Sequence, residues 1–219
     1  FSANWPDELV LNAGMTVTEA GTAAAIIGIT YVGDESKAET VLQPLRKFGR
    51  ELRDVTRKAN YVNEQSGRDA ANSHGRLYYI KGRHMNDYDP KMLDVLFERW
   101  KPAPGRYTTM RIVRFGGAVS QIDNDATAWP HRHSMWDIEV GGHWTDPDQS
   151  EEYVQWGRDY WDALEPYTSK ELYLNELMDE DQDQVTISYG NNHKRLVELK
   201  NKYDPTNLFR MNANIEPTV

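Results

Sequence analysis

The stretch Met135-Trp-Asp-Ile-Glu-Val-Gly-Gly-His-Trp144 decides the fold class. A β-strand sends successive side chains to opposite faces. Alternation therefore places Trp136, Ile138, Val140 and Trp144 on one face, and Asp137, Glu139 and His143 on the other. The apolar face fits a cover of helices. The acidic and imidazole face fits either solvent or an active site, since antiparallel sheets often leave one face open.

Working outward, Leu9 to Thr18 and Ala23 to Val32 read as a hairpin around Gly21. Ser36 to Phe48 reads as a helix stopped by Gly49, with Ser36 and Glu39 at capping-box spacing and Pro44 inside. Arg50 to Gly75 is polar and reads as partial helix and loop. Leu77 to Arg83 reads as a strand. Asp89-Pro90 opens a helix whose buried face is Met92, Leu93, Leu96 and Trp100, ended by Pro102 and Pro104. Thr108 to Phe115 and Ala118 to Ile122 read as a hairpin through Gly116-Gly117. Asp148 to Leu164 reads as a long helix, with Asp148 and Glu151 at capping-box spacing, and Leu172 to Leu174 as a short strand. Hairpins followed by helices, without strict βα alternation, give an α+β class.

Composition narrows the function. The 219 residues carry a net charge of −9, which disfavours nucleic acid as a partner. The longest apolar run, Ala23 to Ile29, is too short to span a bilayer. The absence of cysteine excludes disulfides, thiolate nucleophiles and Cys-ligated zinc. Hydrophobic residues at 39% suffice for one sizeable core.

The C-terminal text is the most specific: Tyr189-Gly-Asn-Asn-His-Lys-Arg-Leu, then Lys200-Asn-Lys-Tyr-Asp-Pro-Thr-Asn-Leu-Phe209, then Asn212-Ala-Asn-Ile215. It reads as a helix capped by Asn191 or Asn192, stopped by Pro205 and followed by an extended tail. In an extended tail, Asn212 and Asn214 point the same way.

This text resembles the C-terminal segment of the berberine-bridge-enzyme-like FAD-linked oxidoreductases of the vanillyl-alcohol oxidase superfamily. Tyr173-Leu-Asn175, Phe115-Gly-Gly-Ala-Val-Ser-Gln-Ile122, Trp129-Pro-His-Arg132 and Pro6-Asp-Glu-Leu9 are similar to family stretches in the same order. The resemblance implies a substrate-binding α+β domain over residues 1–171. Residues 172–219 then form a segment that returns to an FAD-binding domain. It also implies an antiparallel sheet with helices over one face and the other face toward flavin and substrate. Nothing in the chain resembles the family's FAD-binding domain, and the first residue is Phe1. A portion of a longer protein and a stand-alone descendant of the domain both fit.

The resemblance further assigns candidate residues. Asp137 falls where plant members carry an active-site glutamate. Tyr173 and Asn175 fall beside the flavin, and Glu176 falls where the family has a tyrosine base. A carboxylate serves as a base there if burial raises its pKa; otherwise Glu176 faces water. Asn212 and Asn214 lie toward the flavin. Val113 replaces a catalytic tyrosine or glutamate, which weakens the enzyme case. Arg111, Glu139 and His143 share the polar sheet face and are candidates for binding substrate, Arg111 for an acidic one.

A metal reading of His131, His133 and His143 is the weaker alternative, because zinc catalysis needs three converging ligands. Gly116-Gly117 as a phosphate loop is weaker still, for want of a following helix. Three functional expectations follow. The first is one part of an FAD-dependent oxidoreductase that partners an FAD-binding domain or subunit and takes a small alcohol, sugar or related substrate. The second is a flavin-free enzyme of lyase or cyclase type, or a small-molecule binding protein, using the same carboxylates without a cofactor. The third is a homo-oligomer that covers its own open sheet face.

Overall fold

The computed structural model describes residues 5–18, 20–49, 53–67, 69, 72–87, 89–101, 103–134 and 136–219. Met135, Pro102 and Arg50, each at the end of an expected element, lie outside them.

Five strands form one antiparallel sheet in the order β2-β1-β4-β5-β3. They are β1 (Leu9–Val17), β2 (Ala23–Tyr31), β3 (Leu77–Met85), β4 (Thr108–Arg114) and β5 (Trp136–Trp144). The helices are α1 (Glu35–Arg46), α2 (Tyr61–Ser66), α3 (Pro90–Trp100), α4 (Ser150–Leu164), α5 (Val185–Tyr189) and α6 (Asn192–Tyr203). The α+β class holds, and the hairpin of β1 with β2 forms as its alternation demands.

The apolar face of β5 decides where the helices go. Ile138 and Val140 are almost wholly buried among Met92, Leu96, Trp100, Trp156, Tyr160 and Leu164 of α3 and α4. Burial of such side chains contributes about 1.5–3 kcal/mol each. Polar atoms on these helices find partners inside: the Tyr160 hydroxyl donates to the Leu96 carbonyl at 2.6 Å, and Trp156 Nε1 donates to the Arg99 carbonyl at 3.1 Å. A second cluster joins Leu9 and Leu11 of β1 to Leu42 of α1.

Local signals set most helix starts. Asp89 accepts a bond from the Lys91 amide, with Pro90 in the first turn. Asp34, rather than Ser36, caps α1 by accepting from the Ser36 amide at 2.9 Å. Asp146 caps the Pro147–Gln149 turn that leads into α4, so the Asp148 box is not the one used. Asn191 stands before α6 without a side-chain cap bond. The Asn192 amide instead donates to the carbonyls of Asn124 and Thr127.

Two expected elements differ. No hairpin runs through Gly116-Gly117. β4 pairs with β1 on one side and β5 on the other, so neither of its edges is free for a hairpin partner. The chain turns away at Gly116 and Gly117, whose φ angles of 150° and 59° suit glycine, into a 3₁₀ turn over Gly117–Gln121. The short strand at Leu172–Leu174 is likewise absent; Leu174–Glu176 is a 3₁₀ turn closed by the Glu176 amide on the Tyr173 carbonyl at 2.8 Å.

That turn belongs to a strap that leaves α4 and wraps around β3, the edge strand. The Ser169 amide donates to the His84 carbonyl at 2.8 Å. Lys81 and Asp181, both buried, form an ion pair at 2.7 Å. The Lys81 ammonium also lies 4.2 Å from the Trp161 ring centroid. Removing one member of a buried pair leaves the other charged and desolvated. Lys81→Met should therefore destabilise the chain by about 3–5 kcal/mol in denaturant unfolding. The double change Lys81→Met with Asp181→Leu should recover most of that loss.

Candidate active site

Register on the open sheet face builds the site. Across β4, β5 and β3, Asp137 sits between Val113 and His84, and Glu139 sits between Arg111 and Gly82. The strap then lays Glu176 over Gly82. A Cβ at Gly82 would overlap the Glu176 carboxylate, so the missing side chain is what makes its seat. One oxygen from each of Asp137, Glu139 and Glu176 lies within 4.8 Å of the others. Three acidic residues distant in sequence thus meet at one point.

The surroundings answer these charges only in part. Arg111 donates from Nη2 to Glu139 Oε1. His84 is fully buried, and its Nδ1 stands 3.3 Å from Asp137 Oδ1. Asp137 Oδ1 and Glu176 Oε2 are closed off from solvent without a hydrogen bond. Burial, first, then the charges of Asp137 and Glu139 and a hydrogen bond to Glu139, push the Glu176 carboxyl up to about 9, against the opposing pull of Arg111. Glu176 therefore keeps a proton at neutral pH, with Glu139 as its hydrogen-bond partner and Asp137 close by: an acid and carboxyl acceptors in one cluster.

A cavity of about 860 Å³ is lined in part by Asn175 and Leu177, the chain neighbours of Glu176. Phe115, Trp129, Tyr173 and Tyr189 give it aromatic walls; Asn175, Gln182 and Asn212 give it amides. The Asn175 amide donates to the Tyr173 hydroxyl at 2.8 Å. His84 links cavity and cluster, its ring 5.7 Å from Phe115 and 6.4 Å from Tyr173. The tail is not extended at Asn212, which has φ of 60°, and the Asn214 amide donates to the Asn212 carbonyl at 2.8 Å. The two side chains consequently part: Asn212 lines the cavity, whereas Asn214 Oδ1 is buried without a hydrogen bond.

The structure thus brings Asp137, Glu139, Glu176 and Arg111 together and sets Tyr173, Asn175 and Asn212 in the adjoining cavity. His143 stands four residues farther along β5, stacked on Tyr107 at 4.4 Å and 3.0 Å from Arg76 Nη1. His131 packs on His84 at 4.5 Å, and burial, then His84, lowers it to about 4. His131 and His143 are therefore in different surroundings. Gly82 and His84 belong to the site although no motif marks them. The alternation of β3 would have found His84, since the strand runs two residues past Arg83 to Met85.

Against this geometry stand the known proteins. Residues 172–216 match the family described as Berberine and berberine like. An FAD-linked oxidoreductase of Dictyostelium discoideum is 25% identical over 99% of this chain and 46% of its own length. The berberine bridge enzyme-like 17 protein of Arabidopsis thaliana is 33% identical over 47% of this chain and 23% of itself. Among solved structures, a berberine-bridge-like protein of Arabidopsis thaliana superposes with a TM-score of 0.78 at 17% identity, covering 98% of this chain and 51% of that one. One from Physcomitrella patens gives 0.77 at 18% identity, with 97% and 48% covered. At such identities the structures speak for the fold. The chain spans about half the length of the curated relative that it matches end to end.

Protonation of Glu176 is testable through stability. The unfolded chain loses this proton near 4.5, the folded chain near 9. Between these values the folded state binds the extra proton, so stability falls as pH rises, by up to about 1.4 kcal/mol per pH unit. Glu176→Gln removes that dependence. Its melting temperature should gain on the unmodified protein from about pH 5 to about pH 8. Gly82→Ala should displace the Glu176 carboxyl and flatten the same profile.

Proposed function

We propose that this chain, which carries the berberine and berberine-like segment and spans about half of its end-to-end relative, is the substrate-binding and C-terminal portion of an FAD-dependent oxidoreductase. Residues 1–171 would form the substrate domain and 172–219 the segment that returns toward the flavin. Its substrate would be a small alcohol, sugar or related molecule. The observation that carries the reading is an aromatic and amide-lined cavity whose wall residues Asn175 and Leu177 flank Glu176 of the three-carboxyl cluster.

The residues present suit a flavin. Aromatic walls fit a planar ring system, and amides fit its polar edge. Trp129 Nε1, on the cavity wall, is a buried donor without a hydrogen bond that a bound ligand would satisfy. Tyr173, Asn175 and Asn212 would hold the flavin, whose chemistry when bound is to accept a hydride. The chain's own groups would then manage the proton. The Asp137 carboxylate would take it from a substrate hydroxyl, backed by His84. Glu176, protonated, would donate a hydrogen bond to the same oxygen, with Tyr173 in reach of the cavity. Arg111 and Glu139 would fix the orientation of the bound molecule, and His143 would meet a longer one farther along β5.

Partner chemistry follows from the C-terminal surface. Tyr203, Leu208, Phe209 and Met211 are each more than 70% exposed. Apolar surface of this extent marks an interface, and an FAD-binding domain or subunit is the occupant proposed. A homo-oligomer is the rival cover, and size-exclusion chromatography separates the two. Among the described residues, no helix is long and apolar enough to cross a membrane.

A second reading has one observation in its favour. The Glu176 carboxyl beside the Asp137 carboxylate is an acid–acceptor pair that needs no cofactor, as a flavin-free lyase, cyclase or binding protein would require. The visible absorption spectrum of the protein isolated from its native source decides between them. Flavin bands are expected. A colourless, folded protein of 25.3 kDa, or full turnover without flavin, would overturn the first reading in favour of the second.

A further inference from the structure

The carboxylate cluster offers more buried acceptors than its neighbours satisfy. Among the described residues, Glu139 is the member of the three that meets a guanidinium, that of Arg111. Asp137 Oδ1 and Glu176 Oε2 are shielded from solvent and lack hydrogen bonds. A separate group points at them. His84, wholly buried, has neither ring nitrogen hydrogen-bonded, and it directs Nδ1 at Asp137 Oδ1 from 3.3 Å. A buried imidazole in this state is either costly or completed by something bound beyond the carboxylate.

Charge and spacing indicate what would complete it. An ion entering the cluster would displace the Glu176 proton; three carboxylates then face the Arg111 guanidinium, which leaves two negative charges, matching a divalent ion. Oxygens on opposite sides of a calcium-sized ion stand about 5 Å apart, against the 4.8 Å spread of the cluster. An all-carboxylate donor set without thiolate suits hard cations such as calcium, magnesium and manganese. Ligating carboxylates are themselves held by outer hydrogen bonds, the place that His84 occupies behind Asp137.

We propose that Asp137, Glu139 and Glu176 form a binding site for one hard divalent cation, with one carboxylate oxygen from each residue and water in the remaining positions. Arg111 keeps Glu139 aimed at the ion, and His84 stands behind Asp137 with Nδ1 at 3.3 Å. Gly82 provides the space that lets Glu176 close the set. A bound ion would take these carboxylates out of proton exchange, so the site would have an ion-loaded state and an ion-free state. The inference does not depend on the flavin reading, because occupancy is measured without turnover.

The test is a manganese titration of the 219-residue chain, followed by the loss of the free-ion electron paramagnetic resonance signal. One ion per chain is expected, with a dissociation constant below about 1 mM, and calcium should displace it. Glu139→Gln and Glu176→Gln should each weaken binding by about tenfold or more, with circular dichroism unchanged. Loss of binding in either folded variant supports the site. No saturable uptake by the unmodified chain, or uptake unchanged in both variants, overturns it.

Discussion

Three carboxyl groups whose oxygens lie within 4.8 Å of one another cannot all remain ionised in a buried setting without an answering charge. The open face of this sheet is organised by that constraint. Arg111 answers Glu139, His84 stands behind Asp137, and Glu176 keeps a proton. Each of these responses requires a sheet position: β4 supplies the guanidinium, β3 the imidazole and the glycine gap, β5 the two fixed carboxylates. The helices on the opposite face make this possible by burying Ile138 and Val140, which locks the register of β5 and with it the direction of Asp137 and Glu139.

Legibility in the sequence followed the range of the interaction. The sidedness of β5 was readable because a two-residue period is local, and so were Asp89-Pro90 at the start of α3 and the β1–β2 hairpin. The false hairpin at Gly116-Gly117 failed on a non-local fact: β4 is already paired on both edges, with strands that lie far away in the chain. Glu176 was readable as a candidate only through resemblance. Its burial could not be read, since it depends on Gly82 almost a hundred residues earlier. Asn212 and Asn214 were legible as a pair but not in their directions, because a left-handed residue at Asn212 breaks the extended geometry that alternation assumes.

The two ends of the molecule differ in how complete they are. Around α3 and α4, polar atoms on large aromatic side chains meet backbone carbonyls, as Tyr160 and Trp156 do. Around α6 and the tail, Tyr203, Leu208 and Phe209 stand in solvent on a backbone that is nonetheless well tied down. Asp204 accepts from the amides of Leu208 and Phe209 and from the Lys200 ammonium. The C-terminal surface is thus apolar and uncovered on a backbone held by its own hydrogen bonds.

The strap around β3 separates anchoring from chemistry. Its fastenings are the Lys81–Asp181 pair and the Ser169 amide on the His84 carbonyl, five and seven residues from Glu176 along the chain. Position 176 itself rests on a glycine and bears no part of that attachment. The side chain there can be exchanged without unfastening the strap, and the floor beneath it stays the same whichever group is fitted. Chemistry at this place can thus be changed by one substitution while the scaffold keeps its fastenings, a single residue acting as an interchangeable tool on a fixed mount.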